Sequence, residues 1–499
     1  MAGSIDAWGK GKDNKDNKPR AEITEEARPG RRLQFCVHCG SADPAAEAGT
    51  MDNRPGVDEI NAPAPVQNRD DTSEWRRQTH LEDESLESAP TPPSFHTRSS
   101  QASPPRRDSL SPIATQLYIV SHLIFFSLWG TLARLGMQWL TFYPGAPIVT
   151  PVLWANVGGS FVMGFLSEDG RLFRQEWGLD NMDPHTREKA LEQEKSDPAA
   201  AKKAHAKTKK TIPLYIGLAT GFCGSFTSFS SFMRDVFLAL SNNLPTPVNH
   251  PYSTVPSFTS TIHRSGGYSF MALLAVIVYT VALSLAALNV GAHFALALDR
   301  FTPTLPFRLI RKFVDPLVVV LAWGCWLGAI FLSIWPPDRP SGPSSRGSWT
   351  NEVWRGEVLF ALVFAPVGCL LRYYASLKLN PITASFPLGT FAVNVFGCAV
   401  EAMCYSVQHV PINSTAGALV GGGRVSCQVL QGVMDGFCGT TTTVSTWVSE
   451  LQSLRRRHAY VYGMASVVAG LCLMVIIMGS VRWTVGWSTP ACVTMRTSL

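Results

Sequence analysis

GFCGSFTSFSSFMRD, residues 221–235, and GFCGTTTTVSTWVSE, residues 436–450, are two copies of one segment set 215 residues apart. Each lies in an otherwise apolar stretch, where its Gly and its run of Ser and Thr predict a break in a helix. Non-helical backbone at membrane depth is tolerated only where protein buries it or where it lines a cavity. Two further pairs flank this one. GTLAR ends at Arg134 and GCLLR at Arg372, while NVGGS begins at Asn156 and NVFGC at Asn394; both pairs are 238 apart. The difference of 23 reflects a longer second loop in the first copy. Three motifs repeated in one order predict an internal duplication.

Nine apolar stretches are long enough to cross a bilayer as helices, with the third and eighth interrupted. They lie near 114–140, 149–167, 212–240, 268–298, 316–335, 356–378, 386–406, 427–453 and 459–482. Four spans per copy is an even number, so two copies joined directly would point the same way. The extra span at 316–335 reverses the second. The expected fold is therefore an all-α membrane protein of nine transmembrane helices, two inverted four-helix repeats joined by a linker helix. Inverted repeats place a pathway at their interface. The expected divisions are a disordered N-terminal tail at 1–112, a first repeat at 113–299 and a linker at 300–340. A second repeat follows at 350–485, then a short C-terminal tail at 486–499. The N-terminal tail is polar and cannot bury enough apolar surface to offset its chain entropy.

The net charge of +6 sits in loops between apolar spans and points to no nucleic-acid partner. With the N-terminus inside, the inner loops hold 18 Lys and Arg and the outer loops 5. That asymmetry predicts a cytoplasmic N-terminus and an extracellular C-terminus. The opening MAGSIDAWGKGK has no apolar core, which leaves the first span to direct insertion. An Asn413-Ser414-Thr415 sequon then falls in an outer loop. Cys325, Cys369 and Cys472 lie in apolar spans and read as packing residues. Cys36 and Cys39 form CVHC, which lacks the further ligands of a zinc site.

These motifs, in this order, resemble the fluoride channel family known as CrcB, Fluc or FEX, over about residues 113–485. Its bacterial members are small four-helix proteins that pair as antiparallel dimers, and its fungal and plant members fuse two copies through a linker helix. The resemblance implies a monomer with an internal pseudo-dimer in the lipid bilayer of the plasma membrane. It implies passive export: fluoride that entered as HF and dissociated inside is driven out by the inside-negative potential. It also implies a structural sodium ion, held by the backbone carbonyls of Gly224, Thr227, Gly439 and Thr442.

A fluoride pore must replace hydration water with donors or positive dipole edges without holding the ion too tightly. Asn156 and Asn394 each bring two N–H donors to mid-span, although Asn also bridges helices in membranes. Phe229 and Phe232 match the family's pathway phenylalanines, whose ring edges carry partial positive charge. In the second copy Val444 and Trp447 take their places. One pathway would join Phe229 with Trp447 and the other Phe232 with Val444, so the two are expected to be unequal. Thr227, Ser228, Ser230, Thr442, Thr443 and Ser445 offer hydroxyls, some of which will bond to their own helices instead. Thr280 with Ser284, and Tyr462 with Ser466, resemble the family's polar track. Arg134 and Arg372 are expected near opposite faces, either concentrating anions at pore mouths or snorkelling to headgroups. Asp235 and Glu450, a matched pair, are expected to meet basic groups rather than an anion.

Inverted repeats and broken helices also suit a coupled carrier. A proton-coupled one wants a carboxylate at mid-span. Glu401 is the obvious candidate, though Met163 stands at its matched position. A scaffold signalling through Ser103 and Ser111 of the tail is a third reading. No GxxxxGK[ST] phosphate loop and no nucleophile–base or metal-ligand cluster is present, so no enzyme is expected.

Overall fold

The computed structural model describes residues 112–174, 205–247, 259–261, 263–345, 347–349, 352–410 and 423–492. The tail to residue 111, with CVHC, Ser103 and Ser111, lies outside the described residues, as do 175–204 and the sequon at Asn413.

The chain is an all-α membrane protein, apart from a two-residue antiparallel pairing of Thr246–Pro247 with Thr259–Ser260. Six helices among the described residues are long and apolar enough to cross a membrane: Ile113–Thr141, Gly266–Ala297, Ile310–Ile334, Arg355–Ile382, Leu388–His409 and Arg456–Thr484. The second and third of these carry Phe270, Met271, Val278, Val320 and Phe331 exposed. Such apolar faces suit lipid, not water. The other three expected spans differ for local reasons. Leu153–Glu168 has only 16 residues, and the third and eighth are broken where the Gly-rich motifs predict.

In the first repeat α1 is Pro112–Thr141 and α2 is Leu153–Glu168. The third span begins at Pro213–Ile216, widens through a π-helical stretch at Gly217–Cys223, and ends at Gly224–Phe226. It resumes as α3, Phe229–Leu240, followed by α4, Gly266–Ala297. The linker helix α5 is Asp315–Ile334. The second repeat contains α6, Phe360–Leu379, and α7, Leu388–His409. Its broken span runs from Arg424–Gly432 through Val433–Cys438 to Gly439–Thr441 and resumes as α8, Ser445–Ser453. Helix α9 is Arg456–Met474. The duplication extends to backbone angles: Thr227 has φ −95° and ψ 151°, Thr442 φ −93° and ψ 152°.

Small residues let the helices approach. A Cβ on Gly164 of α2 would overlap the Leu288 carbonyl of α4, and one on Gly291 of α4 the Phe161 carbonyl of α2. Without a hydrophobic drive between helices in lipid, such backbone proximity supplies much of the packing. The linker helix joins the first helix of each repeat: Trp323 Nε1 donates to Ser121 Oγ at 3.2 Å, and Trp326 Nε1 to the Val363 carbonyl at 3.0 Å. Helix α3 packs on α7 of the other repeat, and α8 on α2.

Two readings of the cysteines need correction. Cys369 is buried, but Cys325 and Cys472 are exposed and pack no core. Cys427 and Cys492 form a disulfide across 65 residues, which ties the segment after α9 to the start of the second broken span.

Candidate functional site

Each break frees backbone groups that helical bonding would have satisfied, and the other repeat satisfies part of each. Thr227 Oγ1 accepts from the amides of Val444 and Ser445 at 3.2 and 3.1 Å. Thr442 Oγ1 accepts from Phe229 and Ser230 at 3.1 and 3.0 Å. Each hydroxyl donates to its own helix, Thr227 to the Cys223 carbonyl and Thr442 to that of Cys438. Thr227 and Thr442 are thus reciprocal caps on α8 and α3, and their hydroxyl protons are already used.

The asparagines clamp the same breaks. Asn156 Oδ1 accepts from Ser228 N at 2.9 Å and its Nδ2 donates to the Ser228 carbonyl at 3.4 Å. Asn394 does the same to Thr443, at 2.9 and 3.3 Å. The packing reading of these amides therefore holds at least in part. An amide nitrogen has two protons, so each Asn keeps one beyond this clamp. The hydroxyls are mostly engaged: Ser228 Oγ donates to Ser231 Oγ, Ser445 Oγ to the Cys223 carbonyl, and Ser466 Oγ to the Tyr462 carbonyl. Thr443 Oγ1 lies 3.1 Å from that of Thr227.

The pore-mouth placement of the arginines is overturned. Both are buried, because the freed carbonyls draw them inward. Arg134 donates to the Ser225 carbonyl at 2.8 Å and to the carbonyls of Asp435 and Gly439 in the other repeat. Arg372 donates to Thr440 at 2.8 Å and across to Thr220 at 2.7 Å. A Cβ on Gly224 or Gly439 would strike the guanidinium of Arg372 or Arg134 and push it off these carbonyls. The Gly439 carbonyl, one of the four assigned to sodium, is shared with Arg134. A carbonyl has two lone pairs, so a cation at this oxygen would share it with the Arg134 guanidinium.

The aromatic pair forms across the repeats. The Phe229 ring lies 5.3 Å from that of Trp447 and 5.7 Å from that of Phe232, edge-on to both. All three are buried, as is Val444. Of the carboxylates, Asp235 pairs with Arg234. Glu450 meets no base; it accepts from Thr390 Oγ1 at 2.6 Å and from the Tyr462 hydroxyl at 2.7 Å. The Tyr462 proton is therefore on a carboxylate.

Sequence reasoning passed over Arg234, although it stands in the SFMRD of the first motif. A basic residue inside an apolar span was the available signal, since it needs a partner. Its partner is Glu401, which also accepts from Ser230 Oγ at 2.7 Å. A cavity lined in part by Gln138, Arg234, Asp235, Tyr405, Gln408 and His409 adjoins this pair.

The family described as "CrcB-like protein, Camphor Resistance (CrcB)" matches residues 122–292 and again 359–479. The chain belongs to this CrcB-like family. The two matches within one chain establish the duplication, and the crossed breaks make it an internal pseudo-dimer. Fluoride export protein 1 of Neurospora crassa is 56% identical over 394 residues, 78% of this chain and 71% of that protein. Fluoride export protein 1 of Candida albicans is 33% identical over 374 residues, 74% and 82% of the two chains. The fluoride-specific ion channel FluC of Pseudomonas aeruginosa is 32% identical over 140 residues, 27% of this chain but 99% of its own. One CrcB-like repeat thus corresponds to a whole bacterial relative. No solved structure matches the chain.

Proposed function

We propose that this protein is a fluoride channel that exports the ion across the plasma membrane by passive electrodiffusion. The observation that carries this reading is the pair of crossed, mutually capped breaks, each flanked by a buried Asn and buried aromatic rings, in a chain similar to proteins named for fluoride export. Fluoride passes between the repeats, shedding water against the remaining amide protons of Asn156 and Asn394 and against ring edges. The pathway is lined by Asn156, Asn394, Phe229, Phe232, Thr227, Ser228, Ser230, Thr442, Thr443, Ser445, Trp447, Tyr462 and Ser466, of which Thr227, Ser228, Ser230, Thr442, Ser445, Tyr462 and Ser466 spend their hydroxyl protons within the protein. The buried arginines and the reciprocal caps hold the breaks in register and offset carbonyl charge near the ion. The inside-negative potential supplies the drive.

The architecture in this reading is nine crossings, two inverted repeats about a linker helix, with the N-terminus cytoplasmic and the C-terminus extracellular. The charge asymmetry of the loops supports it. So does the Cys427–Cys492 disulfide, since such bonds persist in oxidising compartments. A structural sodium ion on the carbonyls of Gly224, Thr227, Gly439 and Thr442 belongs to the same proposal, supported by the two helix breaks at which these residues lie; no step of conduction runs through it. Replacing all sodium with a large organic cation should lower the thermal stability of purified protein, and an unchanged melting curve would remove the ion from this account.

The carrier alternative rested on Glu401 as a proton site. In the structure Glu401 is engaged by Arg234 and Ser230 and has no counterpart in the first repeat, where Met163 stands, which favours the channel. The deciding experiment is efflux from liposomes, with fluoride and chloride followed by ion-selective electrodes under a potassium diffusion potential. Rapid fluoride loss with chloride retained is expected; equal loss of both, or none of either, would end the proposal.

A further inference from the structure

We infer that the indole N–H of Trp447 is a fluoride donor, a binding contact that Phe at this position could not make. This rests on the pathway reading above and adds a specific atom to it.

Trp447 is 1% exposed, and its Nε1 has no hydrogen-bond partner. A buried donor left unmade costs roughly 1–3 kcal/mol, and buried indoles usually find an acceptor. Other buried polar atoms here also lack partners, Ser160 Oγ and Ser284 Oγ among them. Those two are hydroxyls, whose protons rotate to whatever acceptor is near; the unpartnered nitrogens of His122 and Arg355 belong to side chains already paired with Asp315 and Glu352, and His458 is only half-buried. An indole N–H is fixed in the ring plane and points one way. The Nε1 of Trp487 also lacks a partner, but that residue is only half-buried. Trp447 is therefore the orphan that calls for an acceptor the chain itself does not supply.

Its surroundings fit an anion in transit. Trp447 and Glu450 are spaced i, i+3 and share a face of α8, which Thr443 precedes by two residues. Thr443 is the residue Asn394 clamps, and Glu450 holds the Tyr462 hydroxyl. A Cβ on Gly463 of α9 would meet Leu451 first and the Trp447 ring at 3.9 Å, and one on Gly470, seven residues further along that helix, would meet Met233 first and the Phe229 ring at 3.3 Å. Tyr462 and Ser466, the polar track of the same helix, lie on this buried face. Trp447 thus stands on α8, which packs against α9 and its buried Tyr462 and Ser466. The other pathway has Phe232 and Val444 at the matched positions, and neither carries an N–H. A compact, strongly basic anion gains more from an N–H than from a ring edge, since hydrogen bonds to charged groups are the stronger class. Chloride, larger and less basic, gains less. Trp447 therefore contributes selectivity as well as occupancy.

The test compares wild type, Trp447→Phe, and an isostere carrying 3-benzothienylalanine at 447, which keeps the bicyclic shape and loses the proton. At low fluoride, where occupancy sets the flux, both variants should export fluoride about tenfold more slowly, with a smaller ratio over chloride. The isostere covers the case in which Trp447→Phe fails to fold. In a second readout, protein with 15N-indole-labelled tryptophan should show one N–H resonance, absent from Trp447→Phe, that moves with fluoride and not with chloride. Variants as fast and as selective as wild type would overturn the inference, as would an indole signal indifferent to fluoride, which would mean that water meets this N–H. Absence of fluoride flux from wild type itself would instead defeat the channel reading.

Discussion

Arg234 and Glu401 form a buried ion pair, Nη1 to Oε1 at 2.8 Å, that the duplication does not repeat. Ser449 and Met163 stand at the matched positions. Arg234 also pairs with Asp235, so Glu401→Gln leaves the guanidinium one carboxylate, whereas Arg234→Ser strands two, and breaking a buried pair typically costs about 3–5 kcal/mol. Arg234→Ser should therefore lower the melting temperature more than Glu401→Gln. Equal losses from the two variants would show that Asp235 does not share the charge of Arg234.

The same asymmetry extends to the rings. Phe229 meets Trp447, whereas Phe232 shares its matched pair with Val444, which has no positive edge. In the liposome assay Phe229→Ile should slow fluoride efflux much more than Phe232→Ile. Equal losses would argue that both pathways conduct alike.

The threonine caps make a sharper claim about stability. Thr227→Val or Thr442→Val keeps the shape of the side chain but leaves two buried amides of the opposite repeat unpaired. At roughly 1–3 kcal/mol for each orphaned group, either variant should melt well below wild type. Thr→Ser at the same site should retain most of the stability, because the acceptor oxygen remains. Thermal melts followed by size-exclusion chromatography would read both.

The disulfide closes a loop with a sequence separation of 65, worth about 4 kcal/mol by loop-closure entropy. Cys492→Ser should lower the melting temperature in the absence of reductant and make it insensitive to reductant. Non-reduced proteolytic fragments should contain residues 427 and 492 in one linked species. Free thiols at both positions in protein taken from cells would count against an extracellular C-terminus.

The sequence by itself determined the membrane character, the duplication and the positions of the two breaks. Each of these is written locally, in the length of apolar stretches and in motifs such as GFCGSFT and GFCGTTT. It also singled out Asn156, Thr227, Asn394 and Thr442, because polar groups inside apolar helices must be satisfied there. Only the tertiary structure decided with whom. Thr227 bonds the amides of Val444 and Ser445, Arg134 reaches Asp435 and Gly439, and Glu401 reaches back to Arg234. These partners are some 150 to 300 residues apart. A buried polar group's need for a partner is a property of its own chemistry and depth. The choice among distant candidates depends on how the helices pack, and in lipid that packing follows from close backbone contact.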